Sequence, residues 1–464
     1  MALIKSISGI RGTIGGLAGD NLTPVDLLAL LSAFARERRE KFSDIASPKI
    51  VLGRDGRISG PILHDFASSI LRFNGITVLD TGLATTPTVE MAVLQNKAQG
   101  GLILSASHNP REWNALKLLD EKGEFLSAEE GKEILRLAEQ GNFDYSRVDE
   151  LGRVERIDNA LEKHVEAIMA LKLVDRTAVA KRNFKVIVDG INSVGALAIP
   201  AILKALGVEA IEVLNEEVNG EFAHNPEPLA EHLAGIKEKV KESGADLGIV
   251  VDPDVDRLAF IDEKGNMFGE EYTLVAIADY VLSNYCPCFF QKISVSNLSS
   301  SRALKDVTEK HGGSYFAAAV GEVNVVAKMK ETGAVIGGEG NGGVIFPELH
   351  YGRDALVGTA LFLSALAQSD MTVSEYRQKF PNYNMIKDRI ELAPGFNLAA
   401  LLQKVKDNYA GEKITDIDGV KIDWPDSWVH LRASNTEPII RIYAEAGDRE
   451  TAQARVTAIK RVIN

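Results

Sequence analysis

The sequence predicts an α/β protein: three similar α/β domains followed by a smaller α+β domain. Three observations predict it. The chain has 464 residues, 45% hydrophobic and 25% charged, enough for three or four separate cores. A strand–turn–helix–strand pattern is written three times. Each copy then runs on to a further strand that ends in an unusual polar loop.

The copies begin alike, with Lys49 to Leu52, Lys185 to Val188 and Lys292 to Val295 as short apolar strands. Helical patterns follow over Ile62 to Phe73, Val194 to Leu206 and Arg302 to Lys310, each stopped by a glycine, Gly75, Gly207 or Gly312. Second strands are expected over Ile76 to Leu79, Val208 to Leu214 and Ser314 to Val320. The strands that carry the loops are Gly101 to Leu104, Ala245 to Val251 and Ala334 to Ile336. Strands alternating with helices imply α/β layers, and ligands in such sheets gather beyond the strand C-termini. Three such domains around one cleft would bring the loops together. From about residue 385 the pattern changes to strands at Leu431 and Ile439 to Ala444 and a helix from Glu450 to Ile463, a smaller α+β domain. The expected domains are 1–153, 154–258, 259–375 and 385–464.

A net charge of -13 argues against a nucleic-acid partner, which would call for a basic footprint. The two cysteines, Cys286 and Cys288, are too few for a closed zinc site and suit a reducing compartment. With no signal-peptide layout and no window resembling a membrane span, a cytoplasmic protein with no membrane partner is expected.

The first loop is S-A-S-H-N-P, Ser105 to Pro110. Asn109 can cap, Pro110 can take the first helical position and Glu112 can close a capping box, so a helix start is expected there. The serine hydroxyl would then face free N–H groups, where a phosphate is held. In D-P-D-V-D-R, Asp252, Asp254 and Asp256 alternate after a strand, so the three carboxylates converge. Hard oxygen ligands at that density call for Mg²⁺ or a similar cation. A calcium EF-hand is rejected although Glu263 falls at its twelfth position, because Arg257 stands where that loop needs glycine and a strand precedes it. Arg257 is placed to hold a phosphoryl group, and Lys117 to exchange a proton or attract phosphate. Arg11 sits between Gly9 and Gly12, which allow close approach of a ligand. The stretch Gly53 to Gly60 reads as supporting structure. In G-E-G-N-G-G, Glu339 and Asn341 suit sugar hydroxyls. In R-A-S-N-T-E-P and the following I-I-R-I-Y, Arg432, Ser434, Asn435, Thr436 and Arg441 make a dianion cradle.

These loops, in this order, resemble those of the α-D-phosphohexomutases over essentially the whole chain. S-A-S-H-N-P resembles that family's phosphoserine loop, usually T-A-S-H-N-P, and D-P-D-V-D-R its metal loop. G-E-G-N-G-G resembles the sugar loop and R-A-S-N-T-E-P the phosphate loop, usually R-x-S-G-T-E-P. The resemblance implies α/β domains with mixed sheets and a TATA-binding-protein-like C-terminal domain around a deep cleft. It implies Mg²⁺ held by Asp252, Asp254, Asp256 and a phosphate on Ser107, with a hexose 1,6-bisphosphate as activator. Ser107, Lys117, Arg257 and Arg11 would then be catalytic, and His108 would join Glu339, Asn341 and the cradle residues in binding substrate. Phosphorylated Ser107 would give its phosphate to a hexose 6- or 1-phosphate, and the bisphosphate would turn around before Ser107 takes back the other phosphate.

Two departures stand out. Several subgroups read G-E-x-S-G-H in the sugar loop. Here the serine place is Asn341 and the histidine place is Gly343, which leaves His350 as a distant stand-in for a second proton-transfer group. Asn435 replaces the phosphate-loop glycine. The E-G-N-G-G variant resembles that of some phosphoglucosamine mutases and related bifunctional enzymes, a resemblance that implies glucosamine phosphate first, with glucose and mannose phosphates behind it. The partners expected are small hexose phosphates, for a monomer or homodimer. The rival classes are a serine- and metal-dependent sugar phosphatase and a non-catalytic sugar-phosphate sensor.

Overall fold

The computed structural model describes residues 3–6, 9–285, 291–391, 397–433 and 439–463. Two compact units emerge: Met1–Thr273 with Asn341–Arg377, and Leu274–Gly340 with Gln378–Asn464. Cys286 and Cys288 lie outside the described residues.

The first unit holds two sheets. The larger runs in the order Ile4–Ser6, Gly9–Thr13, Trp113–Leu119, Gly100–Leu104, Lys49–Arg54, Thr77–Leu83, Val154–Arg156. Its central strand Gly100–Leu104 is apolar without interruption because both faces are covered by helices. Ile50, Leu52, Leu102 and Leu104 pack with Leu31, Phe34 and Leu71 on one side. Val51 and Ile103 point the other way, to Val89 and Val93. The sheet is mixed: Lys49–Arg54 pairs parallel with both neighbours, while Trp113–Leu119 returns antiparallel beside Gly100–Leu104. The second sheet runs Leu258–Asp262, Leu247–Val251, Lys185–Asp189, Ala210–Leu214, its first pair antiparallel and the others parallel. These sheets cross the expected borders: Val154–Arg156 joins the first sheet and Leu258–Asp262 the second.

In the second unit, Ile293–Asn297 pairs parallel with Ser314–Ala318 and Ile336–Glu339, with helices Ala303–Lys310 and Glu322–Thr332 between them in sequence. The last region is a five-stranded antiparallel sheet in the order Asn384–Glu391, Ile439–Ala446, Ser427–Ala433, Val420–Asp423, Lys413–Thr415. Helices Leu398–Asn408 and Arg449–Ile463 cover it, with Val405, Val456 and Ile459 against Val429, Leu431 and Ile442. The expected three α/β repeats and α+β tail are therefore the observed architecture.

One local expectation fails. No helix begins at Asn109 or Pro110; residues 105 to 112 form turns and the strand Trp113–Leu119 follows. The capping signals are overridden because Leu116, Leu118 and Leu119 gain burial by pairing back along Gly101–Leu104. The strand expected over Ala334 to Ile336 instead spans Ile336–Glu339, so Glu339 is its last residue rather than a loop residue.

Candidate active site

The return strand is what positions the first group of candidates. Ile103 is opposite Lys117, so the serine loop and the lysine are carried by one hairpin. Arg11 is opposite Ala115, two residues before Lys117, so Arg11 and Lys117 share a face of the sheet. Ser107 adopts a left-handed φ of 49° and is 6% exposed. Its hydroxyl donates to Asp252 Oδ2 at 2.6 Å, across 145 residues of sequence. The partner of the serine is thus a carboxylate of the aspartate loop rather than helix N–H groups.

The aspartate loop joins Leu247–Val251 to Leu258–Asp262 as a hairpin connection, with Val251 opposite Leu258. Asp252, Asp254 and Asp256 are fully buried. One carboxylate oxygen from each lies within 4.8 Å of the others, so the three could hold a metal ion. Their oxygens are unequally used. Asp252 Oδ1 accepts the N–H groups of Asp256 and Arg257. Asp254 Oδ2 accepts Lys117 Nζ at 2.5 Å and the Thr86 hydroxyl at 2.5 Å. Asp256 Oδ2 accepts Arg353 Nη2 at 2.7 Å and Lys117 Nζ at 3.3 Å. The Oδ1 atoms of Asp254 and Asp256 are buried with no hydrogen-bond partner among the described residues. Two orphaned carboxylate oxygens beside Asp252 are a hard-oxygen donor set that fits Mg²⁺.

Electrostatics separates the three. Burial, then the charges of Asp256 and Asp254, push the Asp252 carboxyl well above its usual range. Burial acts the same way on Asp256, but Arg353, Lys117 and Arg257 overcome it and hold this carboxyl below its usual range. Burial opposes the charge of Lys117, yet Asp254 and Asp256 outweigh it and keep the ammonium above its ordinary value. His108 has Nδ1 3.3 Å from the Ser107 hydroxyl. Burial, followed by Arg257 and Arg11, drives its imidazole well below the ordinary value, so it is neutral at pH 7. Arg11 donates to Asn109 Oδ1 at 3.2 Å, and Arg257 faces Glu227 Oε1 at 3.4 Å. Asn341 uses Oδ1 to accept the Gly343 N–H.

The other candidates belong to the second unit. Glu339 is buried and accepts from Asn297 Nδ2 at 2.8 Å and the Gly321 N–H at 3.1 Å. Arg432 and Arg441 are directly opposite one another on adjacent strands, and Arg389 is opposite Arg441 on its other side. Like charges placed face to face are unfavourable without an anion between them, as expected of a phosphate cradle. Asp418 offsets part of this, 3.4 Å from Arg432 Nε. Arg389 was invisible as a candidate in the sequence, since strand register alone aligns it. Ser434, Asn435 and Thr436 lie outside the described residues.

The sequence matches the phosphoglucomutase/phosphomannomutase family in four consecutive parts: alpha/beta/alpha domains I, II and III over residues 4–144, 162–265 and 270–383, and the C-terminal domain over 389–462. It is 37% identical over 451 residues to a phosphoglucomutase/phosphomannomutase of Thermococcus kodakarensis, covering 95% of each chain. The chain belongs to this family of phosphohexomutases. A phosphoglucosamine/phosphogalactosamine mutase of Sulfurisphaera tokodaii is 34% identical, with 100% of this chain and 99% of the relative covered. Among solved structures, a phosphoglucomutase/phosphomannomutase family protein of Burkholderia thailandensis matches with a TM-score of 0.84 at 25% identity, over 100% of this chain and 98% of that one.

Several residues that hold the site's loops in place were not read as site residues. Arg57 is fully buried and donates to four carbonyls around the serine loop, those of Ser107, Asn109, Pro110 and Trp113, at 2.5 to 2.9 Å. The supporting reading of Gly53 to Gly60 thus gains a specific agent. The Ser193 hydroxyl bridges the Gly56 N–H and the Pro253 carbonyl. Thr86 donates its N–H to the Asp254 carbonyl. His350 is no proton-transfer candidate: it is 5% exposed and wedged between Glu90, 3.3 Å from Nδ1, and Asp354, 3.3 Å from Nε2. Among the described residues, no helix is long and apolar enough to cross a membrane.

Proposed function

We propose that this chain interconverts hexose 6-phosphate and hexose 1-phosphate through a phosphoserine at position 107, with glucosamine phosphate as its preferred substrate. The observation that carries this reading is the 2.6 Å contact between the Ser107 hydroxyl and Asp252. It puts a nucleophilic oxygen beside three carboxylates that suit a divalent cation.

In the forward half-reaction the P–O bond to Ser107 breaks as a P–O bond to the free sugar hydroxyl forms. The sugar hydroxyl loses its proton and the Ser107 oxygen regains one. The second half-reaction reverses this at the other end of the bisphosphate. Asp252, Asp254 and Asp256 would hold Mg²⁺, which would neutralise charge on the phosphoryl group. Lys117 is kept protonated between Asp254 and Asp256 and can hold a proton near the reacting oxygens. Arg11 and Arg257 supply fixed positive charge on the serine side, and neutral His108 can accept or donate one hydrogen bond. Arg432 and Arg441 would grip the phosphate that is not transferring.

The glucosamine preference is supported by the E-G-N-G-G loop and by the naming of the Sulfurisphaera relative. The naming of the Thermococcus relative favours a second reading, with glucose and mannose phosphates as substrates. A coupled assay of glucosamine, glucose and mannose 1-phosphates, each primed with its bisphosphate and Mg²⁺, separates them. The highest kcat/KM is expected for glucosamine phosphate. Inorganic phosphate should stay near background while isomer forms; stoichiometric release would instead mark a phosphatase. Ser107→Ala should lower turnover by several orders of magnitude while sugar-phosphate binding persists, and full activity in that variant removes the phosphoserine. Arg432→Ala should weaken all three hexose phosphates alike, by about 1.5–3 kcal/mol for a lost charged hydrogen bond.

A further inference from the structure

Gly343 is a glycine for a reason its own backbone does not supply. It is absent from the residues with positive φ, so any side chain could adopt its conformation. Its neighbour Gly342 is different: φ is +85° and an added Cβ would meet the Leu258 carbonyl oxygen at 2.2 Å. At Gly343 the obstruction is side chains, mainly Arg353 with Asn341 Oδ1 at 3.1 Å beside it. A Cβ there would lie 2.3 Å from Cδ and 3.1 Å from Cγ of Arg353. The arginine stem crosses the place a side chain would fill and carries its guanidinium to Asp256, 2.7 Å away.

The crossing is held from behind. Ile345 bridges to Arg353, and the Asp354 N–H donates to the Val344 carbonyl at 2.8 Å. Leu258 donates its N–H to the Gly342 carbonyl and Ala355 to the Val255 carbonyl, so this segment is stitched to the aspartate loop on both sides of Arg353. On Asp256, Arg353 and Lys117 both take Oδ2 and leave Oδ1 buried without a partner. On Asp254, Lys117 and Thr86 take Oδ2 and Oδ1 is again left over. The cationic donors thus select which oxygen of each carboxylate remains for an ion.

We propose that Arg353 is a positioning residue for the divalent cation: by occupying Asp256 Oδ2 across the open face of Gly343, it turns Asp256 Oδ1 toward the ion. This rests on the reading that Asp252, Asp254 and Asp256 hold a metal. Two effects of Arg353 oppose each other, which makes the sign of the outcome informative. Its positive charge repels a cation, so charge alone predicts tighter binding when it is removed. Its hydrogen bond orients a ligand, and losing such an outer partner typically weakens metal affinity by about 10–100-fold.

The test is Mn²⁺ binding, followed by electron paramagnetic resonance of the free ion, on the full chain with Ser107 phosphorylation matched by intact mass. Arg353→Met keeps the stem and removes the donors, and should raise the Mn²⁺ Kd by about 10–100-fold. Arg353→Lys should recover part of the loss, since one donor replaces the planar fork. Gly343→Ala, with its methyl in the path of the stem, should weaken Mn²⁺ although every charge is retained. In an Arg353→Ala background the same Gly343→Ala change should add nothing. Thermal melts run alongside report whether each variant is folded. Unchanged or tighter Mn²⁺ binding by folded Arg353→Met overturns the assignment while leaving the metal site standing. An equal penalty for Gly343→Ala with and without Arg353 overturns the link between the two residues. Failure of the wild-type protein to bind Mn²⁺ removes the metal reading and this inference together.

Discussion

Among the described residues, the first unit contains two buried clusters of metal-ligating side chains, one all carboxylate and one mostly imidazole, and their aspartates use their oxygens differently. Asp252, Asp254 and Asp256 form one; His164, His350 and Asp354, with Glu90 beside them, form the other. In the second cluster both oxygens of Asp354 are committed, whereas both Glu90 oxygens and His350 Nδ1 make no hydrogen bond among the described residues, Nδ1 lying 3.3 Å from Glu90 Oε2 as an ion pair. Oδ1 accepts the N–H groups of Leu356 and Val357 at the start of helix Ala355–Ser369, and Oδ2 accepts His164 and His350 at 3.0 and 3.3 Å. The far nitrogens of the two imidazoles face Thr88 and Glu90. In the aspartate loop, two oxygens have no partner among the described residues, and burial, then repulsion from Asp256 and Asp254, lifts the Asp252 carboxyl. A buried carboxylate that is fully paired stabilises the fold around it. One left partly unpaired costs stability unless a ligand completes it.

That contrast can be broken by substitution. The largest effect is expected for Asp252→Asn, which should reduce mutase turnover by several orders of magnitude while raising the stability of the metal-free protein. The gain follows from removing one of three repelling charges; a loss of metal-free stability in urea unfolding would show that the loop is internally balanced after all. Asp354→Asn should do the reverse. It removes one of the two carboxylates facing His350 and an acceptor of His164, and should cost about 3–5 kcal/mol of stability. Melting like wild type would mean that the second cluster is not the paired network described.

A smaller, graded effect comes from pH. Burial lowers the pKa of His350, but Asp354 and Glu90 override it and raise the imidazole to about 10. The groups facing it are Glu90 from helix Thr86–Asn96, and Asp354 and His164. A histidine with a higher pKa folded than unfolded contributes stability that is complete below its unfolded value, about 6.5, and is lost as pH rises through about 10. The Tm of the wild-type protein should therefore fall between pH 7 and pH 10, and His350→Gln should flatten that slope. A variant with the wild-type slope would assign the titration elsewhere.

Much of this site was legible in one dimension because its chemistry sits in contiguous loops. S-A-S-H-N-P, D-P-D-V-D-R and the arginines around R-A-S-N-T-E-P announce themselves by charge density and spacing. Their neighbours do not. Arg57 sits in a stretch read only as supporting structure, Thr86 and Arg353 are single residues in ordinary surroundings, and only the folded chain reveals that they hold Ser107, Asp254 and Asp256. His350 drew notice for its residue type, but its packing between two carboxylates closes it to proton transfer.

By itself the sequence determined where strands and helices alternate, which loops end the strands, and which of those loops concentrate oxygen ligands. Those features depend on periodicity and on neighbours within a few residues. Tertiary structure decided that the segment after Ser107 would turn back as a strand, that Arg389, Arg441 and Arg432 would align, and that Gly343 would stay bare beneath Arg353. The physical reason is common to all three: burial and pairing between distant segments outweigh local capping and charge preferences, and no local pattern records which distant segment arrives.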